Sequence, residues 1–317
     1  MNERILVLDY GSNSLRWLLA DHLPGAPLSP LEVGGESLRL GRAVPGPSGR
    51  PALDPAAVER ALAATRRALD HGIEQGASKT KVLATHFARN LEGVEDFARR
   101  LADDFGLCLH VLTGEQEAYL TRRGVEEGLA GLGLEGRGAI CVDIGGGSTE
   151  LSWWEGRRLA VRSLELGALD LTDRFLPDEP PCVQRLLELR AAVRSVLSEE
   201  LNDETAEAGF AGTVAASGGS ATTLAALDLG LDDYRPLLVQ GHRLSARRLD
   251  ALIDELAALP LERRRERLHP DPPRAEIIIA GAVALHELLG VVGAEELVVS
   301  DYDLKHGAAV TELEELG

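Results

Sequence analysis

The sequence predicts an α/β fold made of two similar lobes. The chain has 317 residues, which is enough for two lobes, and predicted strands alternate with predicted helices along it. The same acidic, glycine-rich turn occurs twice, as "DYGSNS" from Asp9 and as "DIGGGS" from Asp143. Each copy follows one apolar run and precedes another, with Asp, Gly and Ser at the same offsets. Two such beginnings indicate an internal duplication.

The first series of elements begins with strands at 4–8 and 15–20, joined by the first glycine-rich turn. Residues 24–51 are rich in proline and glycine, which predicts a loop or irregular strands. Asp54 is a predicted N-cap, with Pro55 at the first helical position and Gly72 just past the helix end. The remaining elements of this series are a strand at 81–85, a helix at 93–105, a strand at 108–112 and a helix at 114–128.

The second series repeats the pattern after a strand that ends at Asp143. Its later strands are predicted at 149–154, 158–164, 213–217 and 295–300. Its helices are predicted at 169–176, 181–200, from 218 onward, at 245–258, at 272–290, and in a terminal helix from Leu304. This order predicts a largely parallel core. We assign 1–128 with 301–317 to the first lobe and 129–300 to the second.

Composition narrows the class of protein. The chain is 44% hydrophobic and 26% charged, as ordinary globular proteins are. No apolar run approaches the ~20 residues that span a bilayer, and the N-terminus lacks a signal-peptide pattern. The three cysteines are scattered, which predicts neither disulfides nor a zinc site and favours the cytoplasm. The net charge of −18 argues against general affinity for nucleic acid or an anionic membrane, but not against a small polyanion in a locally positive or metal-loaded site.

The two acidic turns have a composition that suits phosphate and a divalent cation. Glycines permit positive φ and close backbone approach, so that N–H groups can converge on phosphate oxygens. A serine hydroxyl adds a donor, and an aspartate holds Mg²⁺ directly or through water. One such turn would more often be a plain tight hairpin, for which Asp and Gly are also favoured. Two turns with matching offsets favour phosphate binding.

The motifs resemble a known superfold. The chain lacks both the P-loop and the G-x-G-x-x-G dinucleotide fingerprint. Two lobes that each present a phosphate turn resemble instead the actin-like ATPase and sugar kinase superfold. That resemblance implies two ribonuclease H-like lobes with a cleft between them.

Further stretches resemble one family within this superfold, the Ppx/GppA phosphatases, which comprise exopolyphosphatases and guanosine pentaphosphate phosphohydrolases. The stretches that carry the resemblance are "DYGSNSLR", "ATHFAR", "LTGEQEAYLTRRGV", "VDIGGGSTEL", "SLELGALDLTDRF", "AASGGSATTL" and "PPRAEIIIAGAVAL", which occur in family order. The resemblance covers nearly the whole chain. It implies a short form of the family, without the C-terminal HD-type domain of its larger members.

The resemblance implies roles for particular residues. Asp143 would hold Mg²⁺, or another divalent cation such as Mn²⁺, and Asp9 would assist. Glu117 would be the general base, and Arg89 would neutralise the phosphate chain during catalysis. The phosphate-binding residues would be Ser12, Asn13, Ser14, Arg16, Gly145, Gly146, Gly147, Ser148, Ser217 and Gly218. Glu115 is the rival base, and two residues that are two apart on a helix do not share a face.

The implied activity is an exopolyphosphatase, which hydrolyses the terminal phosphoanhydride of inorganic polyphosphate. Such a reaction needs an oriented water, a base within reach and neutralised phosphate oxygens. The alternative within the family is a guanosine pentaphosphate (pppGpp) 5′-phosphohydrolase. A non-catalytic sensor of pppGpp or polyphosphate and a kinase of the same superfold represent other classes. The expected partners are polyphosphate or guanosine penta- and tetraphosphate, and the resemblance also implies a possible homodimer.

Four positions depart from the family pattern. They are Phe87, Gln116, Asp303 and Lys305. Replacement of an arginine by lysine at position 305 removes a bidentate fork for phosphate. We expect these departures to affect chain-length preference and nucleotide binding more than catalysis.

Overall fold

Two mixed β-sheets, each accompanied by helices, form the framework of the protein. A computed structural model describes residues 3–130, 139–201, 213–268 and 271–311. The chain divides into two units. The first unit contains the described residues up to 127 together with 304–311, and the second contains those between 128 and 303.

The strands fall into the two main sheets and one small ribbon. The first sheet has the order β3-β2-β1-β6-β7, the second has the order β10-β9-β8-β11-β13-β12, and β4 pairs with β5. The strands are β1 Glu3–Tyr10, β2 Ser14–His22, β3 Ser29–Ser37, β4 Val44–Pro45, β5 Pro51–Ala52, β6 Lys79–Ala84, β7 Leu109–Val111, β8 Ala139–Ile144, β9 Thr149–Glu155, β10 Arg158–Leu164, β11 Thr213–Ser217, β12 Arg243–Ser245 and β13 Glu296–Val299.

The helices connect these strands. They are α1 Pro55–Glu74, α2 His86–Asn90, α3 Val94–Phe105, α4 Gly114–Leu129, α5 Ala168–Phe175, α6 Val183–Leu201, α7 Gly218–Asp228, α8 Pro236–Val239, α9 Ala246–Ala257, α10 Leu261–Arg267, α11 Ile278–Val292 and α12 Leu304–Val310, with a 3₁₀ turn at Pro272–Glu276 before α11. The short elements α2, α8, α10 and β12 were not predicted from the sequence. The predicted continuation of the terminal helix past 311 lies outside the described residues.

The internal duplication is visible in the strand order. Both sheets begin with a three-strand antiparallel meander whose first strand then pairs in parallel with a later strand. The parallel pairing continues through β6–β7 in one sheet and through β11–β13 in the other. The parallel pairings among these central strands confirm the predicted parallel core, and the meanders add antiparallel neighbours. The short turns at 9–14 and 143–148 force antiparallel neighbours, because parallel strands need a longer crossover.

Helix α1 begins as predicted but ends later. The Asp54 side chain accepts a hydrogen bond from the Ala56 amide at 3.0 Å, and Pro55 occupies the first turn. Gly72 was predicted just past the end, yet α1 continues to Glu74. A methyl group on Gly72 would lie 2.8 Å from Leu6 Cδ2. Gly72 is therefore a helix-interior residue that permits close packing of α1 on β1.

The prediction of an irregular segment at 24–51 missed strand β3. Pro30, Gly34 and Gly35 weaken the strand signal of this segment. A methyl group on Gly34 would lie 2.4 Å from the Trp17 ring, so glycine there makes room for the indole of the neighbouring strand. Cross-strand packing therefore determines this edge strand more than its own propensity does.

Each sheet has one face that packs into an apolar core. Leu6, Leu8 and Tyr10 of β1 belong to the first core, and Ile140 and Val142 of β8 belong to the second. Because side chains alternate along a strand, Asp9 and Asp143 point to the opposite faces of their sheets. No helix in the described part of the chain is long and apolar enough to cross a membrane.

Two close contacts fix α12 within the first unit. A methyl group on Gly307 would lie 1.8 Å from the Leu120 carbonyl oxygen, so α12 touches the backbone of α4. The buried Lys81 on β6 donates from Nζ to the carbonyls of Ala308 at 2.9 Å and Thr311 at 2.8 Å. A cation at these last carbonyls caps the helix C-terminus. The first unit therefore depends on the chain returning to it after the second.

Replacing Gly307 by alanine is expected to lower the free energy of unfolding by about 3 kcal/mol, because the added methyl overlaps rigid backbone. The matched control is Gly290→Ala, at a helical glycine whose added methyl meets nothing within 4 Å. That control should be neutral or stabilising by up to about 1 kcal/mol. Urea unfolding of both variants checks the difference, and equal effects would contradict the close contact.

A buried carboxylate joins helices of the second unit. Glu287 on α11 is fully buried and accepts from Arg190 at 3.0 Å and from Arg194 at 2.7 Å, with His286 Nδ1 at 3.2 Å. Burial would raise the pKa of this carboxyl, but the hydrogen bonds from His286, Arg194 and Arg190 outweigh it and lower the pKa to about 2. The network therefore stabilises the folded state only while Glu287 is ionised.

The stability of the folded state depends on pH through Glu287. Since the folded pKa lies below the ordinary value of 4.5, the stabilisation is complete above that pH and is lost as the pH falls toward 2. Glu287→Gln should unfold with about 3 kcal/mol less free energy than wild type at pH 7. The gap should shrink markedly at pH 3. Denaturant unfolding at the two pH values checks this, and an unchanged gap would refute the role of the charge.

Candidate active site

The two acidic turns contain equivalent backbone hydrogen bonds. In the first turn, residues 9–14, the Gly11 amide donates to the Ser14 carbonyl at 2.9 Å. In the second turn, residues 143–148, the Gly145 amide donates to the Ser148 carbonyl at 2.8 Å. A methyl group on Gly145 would lie 3.0 Å from that carbonyl oxygen. The duplicated sequence pattern therefore encodes a duplicated turn.

The glycines of these turns serve close approach rather than unusual dihedrals. Among the described residues positive φ occurs at Gly218 but at none of the turn glycines. The positive φ that glycine permits is thus not used in the turns. Because glycine has no side chain, it leaves space around the turn backbone.

Neighbouring segments engage the carbonyls of the first turn. The amides of Leu38 and Arg39 both donate to the Asn13 carbonyl at 2.9 Å, and the Gly41 amide donates to the Ser12 carbonyl at 2.7 Å. Carbonyl oxygens that are occupied in this way are directed at their donors. The amide and hydroxyl groups of the turn are then the ones suited to meet an anion.

The second turn is held in the same way by the start of α5. The Ala168 amide donates to the Gly145 carbonyl and the Leu169 amide to the Gly146 carbonyl, both at 2.8 Å. A methyl group on Gly167 would lie 2.2 Å from the Gly146 oxygen, so glycine at 167 permits this approach. Ser148 is buried within the turn. Both turns are therefore held rigidly by segments that follow their hairpins.

A row of polar residues crosses the second sheet at the level of Asp143. Glu150 lies directly opposite Asp143 on the antiparallel neighbour, and Ser217 lies beside it on the parallel neighbour. Side chains in register across a sheet share a face, with opposite Cβ atoms about 5 Å apart. Glu150 is buried and accepts from the Ser163 hydroxyl at 2.9 Å. Two carboxylates therefore stand together at the second turn.

The equivalent row of the first sheet carries a different charge. Arg16 lies directly opposite Asp9, where Glu150 lies opposite Asp143, and Leu83 occupies the place of Ser217. The first turn thus combines one negatively and one positively charged side chain, and the second combines two negatively charged side chains. The two turns therefore have similar backbones but different local charge: the pair in the first turn sums to zero, whereas the pair in the second carries two negative charges.

Asp143 also lies against the start of α7. Gly218 has a φ of 79°, and a methyl group there would lie 2.0 Å from Asp143 Oδ1. Only glycine fits both the left-handed backbone and this contact. The carboxylate therefore lies against the start of α7, with Glu150 opposite it on the neighbouring strand.

Glu117 sits in the first turn of α4, which a capping box fixes. The Gln116 amide donates to the Thr113 hydroxyl at 3.2 Å, and the Gln116 side chain accepts from the Thr113 amide at 2.9 Å. Gln116, which departs from the family pattern, therefore caps the helix next to the candidate base. Glu115 is exposed whereas Glu117 is buried, so the two glutamates occupy different environments, as their spacing predicts.

Arg89 and Glu117 form an ion pair. Arg89 Nη1 donates to Glu117 Oε1 and also to the Leu112 carbonyl at 2.5 Å. The Glu117 side chain is 5% exposed and that of Arg89 is 26% exposed. Thr85, which immediately precedes α2, donates from its amide to the Tyr10 carbonyl at 3.2 Å, so the helix that carries Arg89 begins beside the end of β1. Sequence reasoning proposed both residues but not their contact.

Within each unit the predicted residues gather as follows. The first unit brings together Asp9, Arg16 and the half-buried or buried Ser12, Asn13 and Ser14 in one hairpin, and it pairs Arg89 with Glu117. The second unit brings together Asp143, Gly145, Gly146, Gly147, Ser148, Ser217 and Gly218. Of the departing positions, Phe87, Asp303 and Lys305 are buried.

Sequence reasoning missed Glu150. The available signal was the hairpin register: Glu150 stands at the same offset from Asp143 as Arg16 does from Asp9. Asp143 and Glu150 offer only oxygen donors, which suit a hard divalent cation. Among the described residues no group of three or more His, Cys, Asp or Glu could hold a metal ion. Two carboxylates completed by waters and substrate phosphates match the usual coordination of Mg²⁺.

Comparison with known proteins decides the family. The model of the Ppx/GppA phosphatase family matches residues 19–316. The chain belongs to the Ppx/GppA phosphatase family. Exopolyphosphatase 2 of Mycobacterium tuberculosis is 31% identical over 97% of this chain and 98% of that protein. Exopolyphosphatase 1 of Mycobacterium leprae is 29% identical over 98% of this chain and 90% of that protein. The expected membership is confirmed.

Solved structures of the Ppx/GppA family confirm the fold class. The crystal structure of the Aquifex aeolicus member matches with a TM-score of 0.80 and 27% identity, covering 100% of this chain and 99% of that one. An exopolyphosphatase from Cytophaga hutchinsonii matches with a TM-score of 0.84 over 99% of this chain and 98% of that one, but at 22% identity it supports the fold alone. The units are thus ribonuclease H-like units of the actin-like ATPase superfold, as predicted.

Proposed function

We propose that this Ppx/GppA enzyme is an exopolyphosphatase that hydrolyses the terminal phosphoanhydride of inorganic polyphosphate, with Glu117 as general base. The observation that carries the proposal is the buried Glu117 carboxylate held by Arg89. A buried carboxylate held by a guanidinium has a defined orientation, which a general base requires. The family relationship to proteins named exopolyphosphatase supports the choice of reaction.

The residues of the first unit bind and neutralise the phosphate chain. Amides and hydroxyls of Ser12, Asn13 and Ser14 donate to phosphate oxygens, and Arg16 adds a positive charge beside them. Arg89 has a guanidinium that is partly exposed, so it can donate to an incoming phosphate while it keeps Glu117 in place. Positioning and charge neutralisation supply most of the catalysis of phosphoryl transfer.

Glu117 moves the proton in this reaction. Its carboxylate accepts a proton from the attacking water as the water oxygen bonds to the terminal phosphorus. The bond to the bridging oxygen breaks, and the chain that is one phosphate shorter leaves with that oxygen. General-base assistance of this kind contributes about 10²- to 10⁴-fold.

The second unit would hold the divalent cation and further phosphate oxygens. Asp143 and Glu150 would be the protein ligands of Mg²⁺, while Ser148 and the amides of the second turn contact phosphate. When bound, Mg²⁺ supplies positive charge that offsets the charge on the phosphate oxygens. Asp9 faces Arg16 rather than a second carboxylate, so its assisting role at the cation stays a prediction.

The substrate choice rests on the relatives, and pppGpp remains the alternative because both substrates end in the same phosphoanhydride. A sensor would bind either substrate through the turns alone and would need neither Glu117 nor its pairing with Arg89. The presence of this pair favours the hydrolase.

Phosphate release tests the proposal. Wild type with Mg²⁺ is assayed on medium-chain polyphosphate and on pppGpp in parallel, and the products are resolved by chain length. The proposal expects orthophosphate and a polyphosphate ladder that shortens one unit at a time. Faster turnover of pppGpp than of polyphosphate would show that pppGpp is the substrate. Tight binding of either compound without turnover would show that the protein is a sensor.

A further inference from the structure

An arginine in an unusual backbone conformation lies beside the first turn. Arg39 has a φ of 58°, and among the described residues it is the only one other than glycine with positive φ. Side chains with a Cβ disfavour this left-handed region, and Asn or Gly are the residues that tolerate it. Such strain persists where the surrounding structure enforces it, and it concentrates at functional sites.

The surroundings of Arg39 enforce its position against the turn. Its own amide donates to the Asn13 carbonyl at 2.9 Å, and its carbonyl accepts from the Arg42 amide at 3.1 Å. A methyl group on Gly41 would lie 2.7 Å from Ser12 Cβ, so the loop touches the turn directly. Arg60 of α1 donates to the Leu38 carbonyl at 3.0 Å and holds the loop from its other side.

We propose that Arg39 is a substrate-binding arginine, which contacts the phosphate oxygens next to the group held by the first turn. The backbone of Arg39 hydrogen-bonds to Asn13, a residue of that turn, and its side chain is only half-buried. The side chain of Arg39 therefore begins beside the residues that we propose to hold phosphate. The proposal deepens the proposed function, on which it rests for the identity of the polyanion.

The chemistry favours a chain of phosphates over a single one. Arg16 already stands beside Asp9 in the hairpin, so the first turn has one guanidinium of its own. A second guanidinium from the 38–42 loop provides another fork, which matches phosphate oxygens two at a time. A ligand with several adjacent phosphates uses both arginines, whereas orthophosphate can use one.

Because the backbone of Arg39 is strained, one substitution is expected to raise stability and lower the affinity for substrate. Arg39→Asn removes the charge and suits the left-handed backbone, so the melting temperature should rise by about 2 °C. The KM for medium-chain polyphosphate should rise about 10- to 100-fold, with little change in kcat. Arg39→Lys keeps the charge and the strain, and should recover part of the affinity without the gain in melting temperature. Arg99→Gln, an exposed change of the same charge on α3, should alter neither quantity.

Each outcome decides the matter. An unchanged KM for Arg39→Asn would show that Arg39 is no ligand, and a fall in melting temperature would show a structural role instead. The affinity for polyphosphate is also measured by calorimetry. The Arg39 variants then carry Glu117→Gln as well, so that the polyphosphate is not hydrolysed during the titration. If wild type hydrolyses no polyphosphate, the proposed function fails, while a weaker affinity of Arg39→Asn for polyphosphate would still support the binding role.

Discussion

Replacing Glu117 by glutamine is expected to lower phosphate release by about 10²- to 10⁴-fold, because glutamine keeps the shape but cannot take the proton of the attacking water. Arg89 can still donate to the amide oxygen, so the position of the side chain is preserved. The melting temperature and the affinity for polyphosphate should therefore change little. Steady-state kinetics with calorimetric binding in the same buffer checks all three quantities.

The chain offers a matched control for this change. Glu115 is exposed and lies two residues earlier in the same helical turn. Glu115→Gln should leave the rate within about threefold of wild type, since an exposed first-turn acid contributes only to the helix dipole. If Glu115→Gln is the variant that loses activity, the assignment of the base is wrong.

Replacing Asp143 by asparagine is expected to raise the Mg²⁺ concentration needed for half-maximal activity by at least about 10- to 100-fold. The change removes the charged oxygen that packs against Gly218 and leaves Glu150 alone on that face. Hard cations prefer carboxylate oxygens, so the amide is a weaker ligand. A titration of activity against Mg²⁺ at saturating polyphosphate checks this.

The duplicated turn supplies the control for Asp143. Asp9→Asn changes the same residue in the first turn, where the opposite side chain is Arg16. We expect its Mg²⁺ requirement to shift less than that of Asp143→Asn. An equal shift in both variants would mean that Asp9 also assists in holding the cation, as the family resemblance implied.

Most of the fold was predictable because strong local patterns agree with tertiary structure. The hairpins around the two turns were placed to within two or three residues, since apolar strands flank a turn of distinctive composition. The Asp54 cap of α1 was also correct. In these segments local propensity and burial favour the same conformation.

The errors arose where a neighbouring element decides the conformation. Gly72 looks like a helix terminator, but its place beside Leu6 makes it part of the helix interior. Gly34 looks like a loop residue, but it lies beneath the Trp17 ring in a regular strand. A glycine in the sequence shows only that no side chain is present. Its tertiary neighbours determine whether that glycine belongs to a turn or permits a close contact.

The candidate site residues could be proposed from the sequence, but the contacts between them could not. The sequence order contains Arg89 and Glu117 without any sign that they pair, because they belong to separate helices. Glu150 was missed because its importance depends on register, which places it opposite Asp143. The different charges of the two turns became visible only when the cross-strand partners were known.

We propose that the two turns, although similar in backbone, have different tasks: the first binds phosphate only, and the second binds phosphate and also holds the cation. The most direct measurement is Mn²⁺ binding without substrate, followed by electron paramagnetic resonance, for wild type, Arg16→Ala and Glu150→Gln. We expect Glu150→Gln to weaken Mn²⁺ binding by at least about 10-fold and Arg16→Ala to leave it unchanged or stronger. Weaker binding in Arg16→Ala, or none of the expected loss in Glu150→Gln, would contradict this division of tasks.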